Sequence, residues 1–83
     1  MSDKNITVYS ANWCPYCHQA ENYLRARNIA FSEIDIDAQP EKYELIKQRL
    51  GDKFFGLPII IINETILQGF DKTAIDMALN DEL

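Results

Sequence analysis

SANWCPYCHQAENYLRA, residues 10–26, sets two cysteines two residues apart where an extended segment gives way to a helix. Upstream, Ile6 and Val8 alternate with Thr7 and Tyr9 in a β-branched run over 5–10, which predicts a strand. Downstream, Cys17, Ala20 and Leu24 recur at spacings of three and four, the stripe of a helix, with Tyr16, Tyr23 and Arg27 on a neighbouring face. Pro15 suits the first helical position, where its missing N–H is no loss. Asn28 suits a left-handed exit. The predicted helix therefore spans Pro15–Arg27, with Cys14 as its N-cap and Ala11-Asn12-Trp13 as the loop between strand and helix.

The pattern continues outward. Phe31–Ile36 reads as a second strand, with Glu33 and Asp35 turned away from Ile34 and Ile36 as on a solvated face or sheet edge. Pro40 opens a second helix that runs to Leu50 and stops at Gly51, burying Tyr43, Leu50 and either Ile46 or Leu45. Lys47 and Arg49 sit near its C-terminal end, where cations suit the dipole. Residues 52–56 form a connector. Pro58–Ile62 is apolar without alternation, as in a strand covered on both faces. Asn63-Glu64 makes a turn into a partner strand, Thr65–Leu67, which Gly69 ends. Asp71 then caps a third helix, Lys72 to about Asn80, with Ala74, Ile75, Ala78 and Leu79 inward. The order βαβαββα implies an α/β fold: a mixed four-stranded sheet with three helices over both faces. Residues 1–83 read as a single domain without repeats or linkers.

At 83 residues and 47% hydrophobic, the chain can bury a small core, in the range where folding hides roughly 60–70% of the surface. Eight basic against thirteen acidic residues leave a net charge of −5 and no basic stripe, which argues against a nucleic-acid partner. The longest apolar run, Leu57–Ile62, is too short to span a bilayer. Met1–Asn5 lacks the apolar centre of a secretory signal, so the expected location is cytoplasmic. Asn80-Asp81-Glu82-Leu83 resembles an endoplasmic-reticulum retention address, which reads as coincidence without an entry signal.

In a reducing compartment the two cysteines are a poor structural staple, and so short a loop constrains the unfolded chain little. Metal binding asks for three or four protein ligands. The remaining imidazole, His18, lies about 100° round the helix from Cys17 and is expected to face solvent. Redox chemistry fits better. Cys14 at the N-cap faces the free N–H groups of the first turn, where the dipole favours negative charge and lowers a thiol's pKa. Cys14 is the expected nucleophile. Cys17, one turn deeper, is the expected resolving thiol, attacking the mixed disulfide that Cys14 forms. Trp13 suits either packing or partner docking.

Cys14-Pro15-Tyr16-Cys17, the strand ahead of it, Pro58 before the third strand and Gly69-Phe70-Asp71 before the last helix together resemble the dithiol glutaredoxins of the thioredoxin-like superfamily. The resemblance covers nearly the whole chain. It implies a thioredoxin-like fold, reduction of protein disulfides and glutathione mixed disulfides, glutathione as co-substrate, no tightly bound cofactor and a monomer. It also implies a cis peptide at Pro58. For glutathione it implies Tyr16 beside the cysteinyl part, main-chain bonds from Leu57 next to Pro58, and Phe70 and Asp71 at the γ-glutamyl end. There the N–H groups of the last helix would take the carboxylate and the Asp71 side chain the amine.

Three positions depart from the family's usual pattern: Ala11 where many members carry lysine, Gly56 in place of threonine, and Gln68-Gly69 in place of paired glycines. Lys53 on the connector is the candidate to replace the missing charge. Trp13 and Gly69-Phe70-Asp71 are similar to the glutaredoxin-like hydrogen donors of ribonucleotide reductase, which are recharged by thioredoxin reductase. A third alternative is an iron–sulfur cluster shared by two chains through Cys14 and glutathione.

Overall fold

The structure, a computed structural model, describes residues 5–80. The readings made on the first four residues and on Asp81-Glu82-Leu83 lie outside the described residues. The elements are β1 (Ile6–Ser10), α1 (Pro15–Ala26), β2 (Ser32–Asp35), α2 (Pro40–Leu50), a 3-10 turn (Gly51–Lys53), β3 (Ile59–Ile62), β4 (Thr65–Gln68) and α3 (Lys72–Asn80). The strands form one sheet in the order β2-β1-β3-β4. β1 is parallel to β2 and antiparallel to β3, and β3 is antiparallel to β4. This is the expected βαβαββα arrangement.

Boundaries move by a residue or two, for local reasons. α1 stops at Ala26 because the Arg27 N–H turns back to the Leu24 carbonyl, and Asn28 then takes φ 60°. β2 is shorter than its apolar run suggests: Phe31 lies under the Arg25 guanidinium, 5.3 Å away, before pairing begins. The β3–β4 turn is held from outside the hairpin. Asn63 sits at φ 54°, its Oδ1 accepts from the Asn5 N–H at 3.0 Å, and its own N–H donates to the Asn5 carbonyl at 2.7 Å.

Strand alternation sorts the core. Val8 lies opposite Ile60 and Ile6 opposite Ile62, so all four face one way, where Ala20 and Leu24 of α1 and Ile75 and Ala78 of α3 pack on them. Tyr23 links the two helices: its hydroxyl donates to Asp76 Oδ1 at 2.7 Å and its ring meets Phe70 edge-on. A second, smaller cluster gathers at the C-terminal end of β1, where Ala11, Cys14, Cys17 and Ile36 are joined by Tyr9, Tyr43 of α2 and Leu57. On α2, Ile46 is the buried choice and Leu45 stays exposed. Ile59 and Ile60 are both fully buried, as expected for a strand covered on both sides.

One buried position breaks the apolar stripe of α1. Glu21 is 2% exposed. Its Oε1 reaches only the Arg25 guanidinium, at 4.0 Å, and its Oε2 has no donor. The group within reach is Glu33 of β2, whose Oε2 already accepts the Ser10 hydroxyl at 2.9 Å. Neighbouring carboxyls disfavour ionisation of both at once. Burial first, then the bond to Glu33, pushes Glu21 above the usual carboxylate range. Glu33 is held below that range by its bonds to Glu21 and Ser10.

The stability contributed by protonated Glu21 is complete below its ordinary value of 4.5 and is lost as pH rises through its raised folded value. Glu33 contributes the opposite slope at lower pH, lost as pH falls through its depressed value. Thermal denaturation across pH should therefore show wild-type stability declining as pH rises above the ordinary carboxylate value of 4.5 and through the raised value of Glu21. Glu21→Gln, which keeps a donor toward Glu33 but cannot ionise, should hold a flat profile there. A wild-type profile that climbs through the same window would rule out the shared proton.

Candidate active site

Cys14 caps α1 in extended geometry, φ −103° and ψ 105°. Its N–H donates to the Ala11 carbonyl at 3.1 Å, which closes the loop, and its carbonyl accepts from His18 N at 3.3 Å. Its sulfur accepts the Cys17 N–H at 3.2 Å. Pro15 at the first helical position fixes φ in advance. The sulfur thus fills the place that a serine or aspartate oxygen takes at other helix starts. There the unpaired N–H groups and the dipole favour negative charge.

Both cysteines are free thiols. Cys14 is 6% exposed and Cys17 not at all, which is the order an attacking and a resolving sulfur require. Burial, together with the contact to Cys14, pushes the Cys17 thiol up to about 12, against a smaller opposing pull from the Ala11 main chain. Cys17 therefore resists ionisation near neutral pH.

The flanking loop is tied at two points. The Trp13 indole N–H donates to Asp37 Oδ2 at 3.0 Å. His18 faces solvent, as its helical position implies, and its Nε2 donates to the Asn12 carbonyl at 2.9 Å. The rings of Trp13 and Tyr16 stay 64% and 61% exposed and frame the cysteine.

Beside the cysteines runs a groove of about 470 Å³ lined by Tyr16, Phe55, Gly56, Leu57, Gly69 and Phe70. The Leu57–Pro58 peptide is cis and Pro58 is buried. Leu57 precedes the paired residues of β3, so its peptide groups lie outside the ladder. The structure thus brings Tyr16, Leu57 and Phe70 onto one groove. Asp71 follows Phe70 at the start of α3 without lining that groove.

Two details differ from the glutathione site that the resemblance implies. Asp71 Oδ1 accepts from Thr73 N at 3.0 Å and Ala74 N at 3.2 Å, so two of the helix-start N–H groups are already taken by the cap. Lys53 does not line the groove, and none of the lining side chains is charged.

Sequence reasoning missed Phe55 and the structural use of Gln68. Phe55 had one signal, an aromatic pair with Phe54 inside a short connector. Gln68 stood out only as a departure from paired glycines. Among the described residues, no three His, Cys, Asp or Glu side chains are grouped to hold a metal ion. No described helix is long and apolar enough to cross a membrane.

The glutaredoxin family profile matches residues 6–67. A glutaredoxin-like 8.6 kDa protein in the rubredoxin operon of Clostridium pasteurianum is 35% identical over 71 residues, covering 86% of this chain and 92% of that one. Glutaredoxin 3 of Escherichia coli is 33% identical over 67 residues, covering 81% and 78%. Among solved structures, the glutaredoxin-like protein NrdH-redoxin of Escherichia coli, which has a thioredoxin-like activity profile, superposes with a TM-score of 0.79. That pair is 30% identical, and the match covers 88% of this chain and 92% of that one. With two free thiols stacked at one helix start and a groove beside them, the chain belongs to the glutaredoxin family and is a thiol–disulfide oxidoreductase.

Proposed function

We propose that the chain reduces protein disulfides by a two-cysteine cycle in a reducing cytoplasm. The observation that carries this is the Cys14 sulfur at the start of α1, bonded by the Cys17 N–H at 3.2 Å with the buried Cys17 thiol behind it. The Cys14 thiolate attacks one sulfur of a substrate disulfide. A Cys14–substrate disulfide forms, and the other substrate sulfur leaves as a thiolate that takes a proton from water. Cys17 then gives up its proton and attacks Cys14. The second substrate thiolate departs, and a Cys14–Cys17 disulfide remains. Two electrons and two protons have reached the substrate, and an external dithiol or two thiols must return them.

For that return we favour a protein dithiol of the thioredoxin-reductase kind over glutathione. Glutathione carries two carboxylates and an ammonium at neutral pH. The groove lining offers no charged side chain to meet them, and burying an unpaired charge is costly. The likeness to NrdH-redoxin, with its thioredoxin-like activity profile, supports the same choice. A ribonucleotide reductase is then a fitting disulfide substrate. Glutathione stands as the second reading, because Tyr16, Leu57 and Phe70 share one groove with Asp71 next in sequence.

Three measurements follow. Cys14→Ser should abolish exchange, while Cys17→Ser should keep single-thiol reactions, such as taking glutathione from a mixed disulfide. Full activity in Cys14→Ser would end the assignment. At neutral pH, iodoacetamide should label Cys14 of the reduced protein and spare Cys17, as mass spectrometry of the peptides would report. The oxidised protein should be reduced at least about tenfold faster by NADPH and thioredoxin reductase than by millimolar glutathione, a difference of about 1.4 kcal/mol in barrier. The reverse order would restore glutathione as the donor, and Asp71→Ala should then raise its KM more than it changes kcat.

A further inference from the structure

The last residue of β4 does more than end a strand. Gln68 uses both ends of its amide on one short stretch of chain. Its Oε1 accepts from Phe55 N at 2.7 Å and from Gly56 N at 3.3 Å, and its Nε2 donates to the Lys53 carbonyl at 2.9 Å. That stretch starts at the last residue of the 3-10 turn and from Phe54 on lies in neither helix nor strand, so it has no ladder of its own to hold it. On the inner side, Phe54 meets Tyr43 edge-on at 6.0 Å. The segment is thus fastened from both sides, and Phe55 between the fastenings projects outward, 75% exposed.

Phe55 is held by its backbone more than by its own packing. Its ring edge passes over Gly69, where a β-carbon would meet Phe55 Cε2 at 3.5 Å. Gly69 also sits at φ 84°, which disfavours any side chain there. The ring forms one wall of the groove, with Tyr16, Leu57 and Phe70 completing it. A phenylalanine left this exposed loses the favourable burial that an apolar partner would supply.

We propose that Gln68 is a specificity-positioning residue: by fastening segment 53–56 it sets Phe55 as the groove wall beside Cys14, so that the site selects disulfides whose cysteine is flanked by an apolar, uncharged residue. The occupant is an extended peptide segment of a protein disulfide. Its apolar side chain packs among Tyr16, Phe55, Leu57 and Phe70. A carboxylate in the same place has no cation on the lining, and the chain's net charge of −5 adds repulsion. The proposal rests on Cys14 being the attacking sulfur, as above.

The test uses the pre-reduced full chain in single turnover, so the identity of the electron donor does not enter. Two cystine peptides differ only in the residue preceding one cysteine, leucine in the first and glutamate in the second. Oxidised glutathione is the third substrate. Wild type should prefer the leucine peptide by about tenfold, the discrimination expected of one apolar contact, with oxidised glutathione ranking beside the glutamate peptide. Gln68→Met, similar in volume but without the amide, should erase most of that preference. It should do so by raising the half-saturating concentration for the leucine peptide several-fold more than it changes the saturating rate. Phe55→Ala alters an exposed side chain and should do the same, so it decides the matter if Gln68→Met fails to fold. Hydrogen exchange at the Phe55 and Gly56 amides should quicken in Gln68→Met, with the strand amides unchanged. Preference retained in Phe55→Ala, or none in wild type, overturns the proposal. Reduction of no substrate at all by wild type would instead reject the Cys14 reading on which the proposal stands.

Discussion

A single contact, the Cys17 amide hydrogen on the Cys14 sulfur, organises the chemistry of this protein. A helix start leaves N–H groups without partners, and most proteins satisfy them with oxygen. Here sulfur does that work, and the atom that satisfies the backbone is also the one proposed to react. The surrounding choices keep it in place. β1 delivers the chain to the helix start, Pro15 presets the turn, the Cys14 N–H closes onto Ala11, and Trp13 and His18 tie down the loop. With the cap as the proposed nucleophile, a change that loosens the start of α1 is expected to disturb stability and reactivity together.

The second thiol shows the other side of the same geometry. Cys17 lies one turn on, in the buried stripe of the helix, where water does not stabilise its charge. Four residues further along the stripe is Glu21, whose charge also disfavours a second thiolate. The protein thus separates two chemically identical groups by position on one helix: burial and neighbouring negative charge at Cys17, a helix start at Cys14. One sits where negative charge is welcome and the other where it is not. Burial and the neighbouring Glu33 push Glu21 above the usual carboxylate range, so the space behind the cysteines disfavours negative charge on the carboxyl as it does on Cys17.

Much of this was legible in the sequence because the relevant signals are local. Pro15 and Pro40 marked two helix starts, and Asn28, Gly51 and Asp71 marked turns and caps, each with a backbone reason attached. The unbroken isoleucine run announced a central strand, and Ile59 and Ile60 are buried on opposite faces. The positions of Cys14 and Cys17 also followed from spacing. What stayed hidden depends on contacts between distant segments. Glu21 looked like an ordinary helical glutamate, and only the placement of α1 against β1 and β2 buries it near Ser10 and Glu33 and raises its pKa. Gln68 and Phe55 lie thirteen residues apart, and nothing local to either predicts a side-chain amide fastening a loop. Ile46 and Leu45 could not be separated by periodicity on a short helix; in the fold Ile46 is buried and Leu45 exposed.

β2 closes one side of the sheet as a four-residue strand carrying Glu33 and Asp35. A second copy of the chain that tried to add its own β2 there would bring like-charged carboxylates into register, one of them held ionised by the Ser10 hydroxyl and by Glu21. Such an acidic rim opposes the open-ended sheet growth to which unprotected strand edges are prone.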